Sequence, residues 1–310
     1  YMDFGTVHSL IWLDCRNGEG PMVETLKVIA GDSDFGAVEI APPKDPEVRK
    51  QVRDLLVSAG LQVVYLPILP IIVEGLEIGS ADADLRAETM RRMKLTLDEA
   101  VDFEATLAMI GPPKDPDEAE RSALTARFIE DVQELCDYAS AKSGKRELFI
   151  TLENFDRDVE KKRLIGPTTE AVAVAQAIDR PNFGLTLDLS HLPLLKESSE
   201  HAISTAGEYL IHAHIGNCVA DNPDSPLYGD FHPRFGHPEG VNDVPELVEY
   251  MRQLFANDFF SRTQVKLGSL PIVSMELRTI PGEETPEAII GNGKRTFMRA
   301  WNQLQRERKA

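Results

Sequence analysis

The sequence predicts an α/β protein folded as a single (β/α)8 barrel, and three observations carry that prediction. Eight short apolar runs recur along the 310 residues, each followed by a longer stretch with helical spacing, and that alternation marks parallel βαβ units. Most of the runs are nearly continuously apolar, as strands covered on both faces must be. None is followed by GxGxxG or GxxxxGK[ST], so the glycine-rich phosphate cradles of open nucleotide-binding sheets are absent. An open doubly wound sheet is the alternative, because periodicity gives the units and not their closure.

In chain order, the strand candidates are 6–13 (TVHSLIWL), 37–41 (AVEIA), 61–68 (LQVVYLPI), 104–110 (EATLAMI), 147–153 (ELFITLE), 182–188 (NFGLTLD), 209–215 (YLIHAHI) and 271–277 (PIVSMEL). Helical spacing covers 21–30, 46–59, 83–102, 116–143, 168–179, 198–207, 243–257 and 285–308. Thr168-Thr169-Glu170 and Asp243-Val244-Pro245 carry the cap-forming and turn residues that open helices. The chain is expected to be one domain, 1–310, since barrels of this kind run to about 250 residues or more. Its longest irregular piece, 216–242, holds Asp230, His232, Arg234 and His237. Loops beyond about 12–15 residues in a compact domain tend to be functional, so an active-site lid is expected there.

A net charge of −18, from 51 acidic and 33 basic residues, repels a phosphate backbone and argues against nucleic acid as a partner. The three cysteines, Cys15, Cys136 and Cys218, are too scattered for a disulfide framework. There is no run of about 18 apolar residues that would span a membrane and no signal-like N-terminal pattern. A cytoplasmic protein is the expectation.

In a barrel the active site forms at the C-terminal ends of the strands, and four successive strands end in ionisable residues. They are Glu153 (TLEN), Asp188 (LTLDLSH), His214 (HAHIGN) and Glu276 (SMELR). Each lies in an apolar run, where a lone charge costs several kcal/mol unless paired or ligated. Taken singly, each fits a helix cap, an ion pair or a hydrogen-bonded core histidine. Three carboxylates drawn together with one imidazole repel each other unless a cation joins them. That donor set suits Mn2+, Mg2+ or Co2+, and also Zn2+. His8 and Glu39, at the ends of the first two strand candidates, are candidate substrate contacts, as are Arg278 and Arg234. Asp230-Phe231-His232 has a carboxylate-x-imidazole spacing that can hold a second ion or deliver a proton.

The order of Glu153, Asp188-Leu189-Ser190-His191, His212-Ala213-His214 and Glu276 resembles the xylose-isomerase-like superfamily of sugar isomerases and epimerases, which are TIM barrels, over nearly the whole chain. The resemblance implies that Glu153, Asp188, His214 and Glu276 hold one divalent ion, Mn2+ foremost. It also implies that Glu153 and Glu276 exchange protons with a keto sugar through an enediolate held by that ion, and that His191 supports the metal or binds substrate. His232 then joins them as a candidate catalytic residue. The long 216–242 segment is similar to what the large subunit of bacterial C-glycoside deglycosidases would carry. Those Mn2+-dependent lyases cleave 3-oxo-glycosides and pair with a small β-rich subunit, so a small partner or a homo-oligomer is a further expectation. Endonuclease-IV-like nucleases share an Asp-x-His pair but also need histidines from the early strands, and here APPK and LPILP hold none. A non-catalytic sugar-binding barrel is opposed by the complete set of four ligands.

Overall fold

The computed structural model describes residues 1–308. The chain runs through β1 (Asp3–Thr6), α1 (His8–Ile11), a 3-10 turn (Leu13–Cys15), α2 (Met22–Ala30), β2 (Ala37–Ile40), α3 (Pro46–Ala59), β3 (Gln62–Tyr65), α4 (Ile68–Glu74), α5 (Ala83–Asp102) and β4 (Leu107–Ile110). It continues through α6 (Glu118–Lys142), β5 (Phe149–Glu153), α7 (Thr168–Ile178), β6 (Phe183–Asp188), α8 (His191–Leu195), α9 (Ser199–Ala206) and a second 3-10 turn (Gly207–Tyr209). β7 (Leu210–Gly216), α10 (Val244–Ala256), α11 (Phe259–Leu267), β8 (Ile272–Glu276) and α12 (Pro286–Glu307) complete it.

Every strand pairs in parallel with its neighbour, in the order β1-β8-β7-β6-β5-β4-β3-β2. The seam between β1 and β2 is spanned by a bridge from Val7 to Glu39 and by the Gly36 N–H donating to Phe4 O at 2.9 Å. The barrel is therefore nearly closed, and the open-sheet alternative falls. Side chains alternate along each strand. Val38, Ile40, Val63 and Tyr65 face the helices, while Ala37, Val64, Leu107, Phe149 and Ile272 fill the barrel interior.

The eight expected helices stand at α2, α3, α5, α6, α7, α9, α10 and α12, with ends within two residues of those read from the sequence. Three strand expectations were misplaced or too long; the fourth strand begins at Leu107 and not at Glu104, which lies in the turn after α5. The first strand is 3–6 and not 6–13, because His8–Ile11 coils into α1 at the top of the barrel. The third ends at Tyr65, since Pro67 caps α4 where 61–68 had been expected to stay extended. Short apolar runs fit a buried strand and a buried helix turn equally well, which is also why α1, α4 and α8 went unforeseen; the amphipathic α11, FFSRTQVKL, was not anticipated either.

One irregularity positions the site. Between β6 and β7 the register passes from Leu185↔Leu210 to Thr186↔His212, a bulge that skips Ile211. Beyond it Asp188 stands beside His214 and Gly216 beside Glu276. Residues 217–243 form neither helix nor strand, apart from bridges of Val219 to Tyr228 and Gly229. α10 then opens on a capping box, in which Asp243 Oδ1 accepts from Val244 N at 2.9 Å and Asp243 N donates to Glu246 Oε2 at 3.0 Å. No helix among the described residues is long and apolar enough to cross a membrane. Replacing Asp243 with alanine should lower stability by about 1 kcal/mol, read as an earlier midpoint in urea with an unchanged slope.

Candidate metal centre

The inward positions near the C-terminal ends of β5, β6, β7 and β8 are Glu153, Asp188, His214 and Glu276, and one donor atom from each lies within 4.8 Å of all the others. His214 Nδ1 is 3.1 Å from Glu153 Oε1 and 2.5 Å from Glu276 Oε2. Its other nitrogen, Nε2, faces Glu39 Oε1 at 3.0 Å, and His212 Nε2 faces the same oxygen at 2.8 Å. A carboxylate accepting from Nε2–H leaves Nδ1 as the atom turned toward the acids, the arrangement by which an outer carboxylate orients a metal-binding imidazole. Glu39, fully buried, thus belongs beneath the site and not among substrate contacts.

One buried carboxylate oxygen in this cluster, Asp188 Oδ2, has no hydrogen-bond partner. Unpaired buried acceptors are costly, and three carboxylates with one imidazole are a donor set that a divalent cation would satisfy. The residues present fit such an ion. Without it, burial and the charge of Glu276 push Glu153 up to about 7. Burial also raises Asp188. For Glu276 burial acts upward, but the charges of His232 and His214 outweigh it and hold the carboxyl at about 2. Burial lowers His214, and the charges of Glu39 and Glu276 more than reverse this, leaving it well above the usual imidazole range.

A second group meets the first through Asp188. His191 Nδ1 is 2.8 Å from the Asn154 carbonyl and its Nε2 is 3.1 Å from Asp230 Oδ2. His232 Nε2 is 3.0 Å from Asp230 Oδ1 and 3.5 Å from Glu276 Oε1, while its Nδ1 stands 3.8 Å from Asp188 Oδ2 without a partner. Asp188, His191 and His232 form another cluster of the kind that can hold an ion. Burial lowers His232, but the charges of Asp230 and Glu276 carry it up to about 9. Burial works against the Asp230 carboxylate, yet the charges of His191, His232 and Lys161 draw its pKa well below the usual range. Gly216 permits this approach. A Cβ there would stand 2.9 Å from Glu276 O, 3.1 Å from His232 Nδ1 and 3.2 Å from Asp188 Oδ1.

Glu153, Asp230, His232 and Glu276 open onto a cleft whose walls include Arg16, Lys161 and Arg278 and the apolar Leu10, Ile68, Ile72 and Phe155. Sequence reasoning missed Lys161 and Arg16, which lie outside any strand end or motif. It noticed Asp230 only through its spacing from His232.

Three candidate substrate contacts lie elsewhere. Glu39 is below the site, as described. His8 heads α1 and turns away from the mouth, with Nε2 donating to Thr25 Oγ1 of α2 at 2.8 Å and its ring against Trp12. Arg234 pairs with Glu284 at 3.2 Å and donates to Gly236 O at 3.0 Å, tying 217–243 to the segment after β8. His237 Nδ1 accepts from Glu239 N within the same loop. Of the four, only Arg278 lines the cleft.

A family model for the xylose isomerase-like TIM barrel matches residues 29–260. The chain belongs to the xylose isomerase-like TIM barrel family. No curated protein matches its sequence. Solved structures similar to this family member include a D-tagatose 3-epimerase-like protein, at TM-score 0.73 and 16% identity over 99% of each chain. L-ribulose 3-epimerase aligns at 0.71 and 15%, over 100% of this chain and 97% of the other. 3-keto-D-glucoside 4-epimerase from E. coli aligns at 0.69 and 15%, over 96% and 100%. At such identities the likeness establishes the shared fold.

Two outcomes are expected from this geometry. Glu39→Gln should weaken divalent-ion affinity by about 10–100-fold with the fold retained, as titration with Mn2+ would read. Burial lowers His8 from 6.5 to about 3, so the unfolded chain takes up this proton first as pH falls. The corresponding stability is present above about pH 6.5 and is lost toward about pH 3, at about 1.4 kcal/mol per pH unit. Between pH 7 and pH 5 the wild type should therefore lose about 2 kcal/mol more than His8→Gln in urea denaturation.

Proposed function

We propose that this chain is a divalent-metal-dependent enzyme that moves a proton on the carbon beside the carbonyl of a keto sugar, as a sugar isomerase or epimerase. The observation that carries this reading is the convergence of Glu153, Asp188, His214 and Glu276 within 4.8 Å at the mouth of the barrel. A bound divalent ion, with Mn2+ preferred and Mg2+, Co2+ or Zn2+ as alternatives, would be held by these four residues and would polarise the carbonyl and stabilise the oxyanion that deprotonation creates. Asp188 and His214 serve as ligands only. Glu276 is the base that takes the carbon-bound proton. Glu153 returns a proton to the other face of the enediolate. The two glutamates, one from β5 and one from β8, serve as the acid/base pair on the two faces of the substrate. His191 is a supporting or substrate-facing imidazole, fixed by Asp230 and the Asn154 carbonyl.

His232 favours a second reading, a lyase acting on 3-oxo-C-glycosides. Held at about 9 by Asp230 and Glu276 against the effect of burial, it carries a proton beside the base. Glu276 would take the proton next to the ketone, the electron pair would form the ring double bond, and the bond to the aglycone would break as His232 protonates the departing carbon. The segment 216–242 would act as the lid that brings His232 to the cleft. A small partner subunit belongs to this reading, and a homo-oligomer to the epimerase reading. Nuclease activity is disfavoured by Ala41-Pro42-Pro43 and Leu66-Pro67, which follow β2 and β3 without a histidine, and by the net charge of −18. The three cysteines are free and buried, in keeping with a reducing compartment such as the cytoplasm.

Solvent-deuterium uptake by a panel of keto sugars and 3-oxo-glycosides tests the common step. Glu276→Gln should cut exchange by about 10²–10⁴-fold while thermal stability is largely kept, and EDTA should abolish exchange until Mn2+ is restored. Full exchange in the variant, or indifference to EDTA, would overturn the assignment.

A further inference from the structure

The cleft that holds Glu153 and Glu276 is also walled by two arginines, Arg16 and Arg278. They arrive from neighbouring strands: Arg16 ends the 3-10 turn that follows β1, and Arg278 stands two residues beyond β8, which pairs with β1. The Arg278 guanidinium sits 5.3 Å over the Phe231 ring, and its backbone N–H donates to His232 O at 2.7 Å. Its position is thereby set by the same loop that carries His232. Arg16 Nε is buried and has no hydrogen-bond partner.

Among the described residues, neither guanidinium has a carboxylate within ion-pair distance, although acids outnumber bases 51 to 33 in this chain. The adjoining cleft, which shares Arg16 and Leu69 with this one, behaves differently. There Arg49 pairs with Glu99 at 2.8 Å and Arg92 with Glu74 at 2.7 Å. The third cation of the catalytic cleft, Lys161, is already satisfied by Glu160 at 2.6 Å and Asp230 at 3.4 Å. Burial, and next the charge of Arg16, lower Arg278, so the two guanidinium groups feel each other. Like charges held together on a cleft wall call for an anion between them, as the carboxylates beside them call for a cation. The planar fork of arginine matches the oxygens of a carboxylate or a phosphate.

We infer that Arg16 and Arg278 form a clamp for an anionic substituent, a carboxylate or a phosphate monoester, so that the substrate is an acidic keto sugar. This rests on the keto-sugar reading above and adds the charge of the group that lies away from the reacting carbons.

Equilibrium binding to the Mn2+-loaded full chain tests it without requiring turnover, using D-fructose, D-fructose 6-phosphate, D-fructuronate and inorganic phosphate as probes. One of the two acidic sugars should bind at least tenfold more tightly than D-fructose, and which one does so distinguishes phosphate from carboxylate. In Arg16→Gln/Arg278→Gln that advantage should fall below threefold, with Mn2+ affinity and thermal midpoint unchanged. Inorganic phosphate needs no match to sugar stereochemistry, and its affinity should fall at least tenfold in the same variant. Anion binding by the metal itself survives these substitutions and is subtracted by the comparison. If the double variant does not fold, the single Arg16→Lys and Arg278→Lys proteins, which keep charge but lose the fork, should each lose part of the phosphate affinity. Equal phosphate affinity in wild type and variants, or an acidic-sugar preference that survives the substitutions, overturns the clamp. Failure of the deuterium exchange with the binding differences intact would instead overturn the proton-transfer reading alone.

Discussion

Mutual repulsion among buried carboxylates is the constraint around which this barrel is built. Glu39, Glu153, Asp188, Asp230 and Glu276 are almost wholly withdrawn from water, and each would be expensive alone. The chain answers with histidines: His212 and His214 meet Glu39, His214 also meets Glu153 and Glu276, and His191 and His232 flank Asp230. Lys161 adds a further positive charge at Asp230. The compensation is incomplete, since Asp188 Oδ2 is left without a partner. That oxygen, together with the carboxylates of Glu153 and Glu276 around the Nδ1 of an imidazole whose other nitrogen faces Glu39, marks where a divalent ion would finish the balance.

The scaffold delivers this cluster by two devices. Period-two alternation turns Phe149, Thr151 and Glu153 inward along β5 and Ile272, Ser274 and Glu276 inward along β8, so each strand grades from apolar at the base to ionisable at the mouth. Thr151 and Thr186 share a hydrogen bond at 2.7 Å, bridging β5 to β6 one layer below the acids. The bulge opposite Ile211 then keeps His212 and His214 in register with Thr186 and Asp188, and bulges recur where a side chain must be re-aimed near a site. Glycine completes the fit at Gly184, where a Cβ would meet the Ile211 side chain at 2.6 Å, and at Gly216 against Glu276, His232 and Asp188.

The mouth is lopsided. Its carboxylates and imidazoles belong to β5–β8 and to the loop 217–243, whereas α1 and α4 contribute Leu10, Ile68, Leu69 and Ile72, with Arg16 the charged residue from the segment after α1. Members of the xylose isomerase-like TIM barrel family share the frame, and the loops on that frame decide which substrate it accepts. Arg234 illustrates the division, for it holds the loop to Glu284 and so serves His232 indirectly.

The amino-acid sequence alone determined the alternation of eight strands with eight principal helices, because burial on both faces demands continuous apolar runs and helix spacing follows from caps and periodicity. It also determined that Glu153, Asp188, His214 and Glu276 end successive strands, since ionisable residues inside such runs stand out by their cost. Tertiary structure decided the rest. Whether His8 faced the mouth depended on where β1 gave way to α1, and the four residues His8–Ile11 are too few to announce that turn. Glu39 supports His214 only because barrel closure carries β2 across to β7, 175 residues away. Arg16 and Arg278 came to line one cleft because β1 pairs with β8, a pairing between the two ends of the chain that no local pattern encodes.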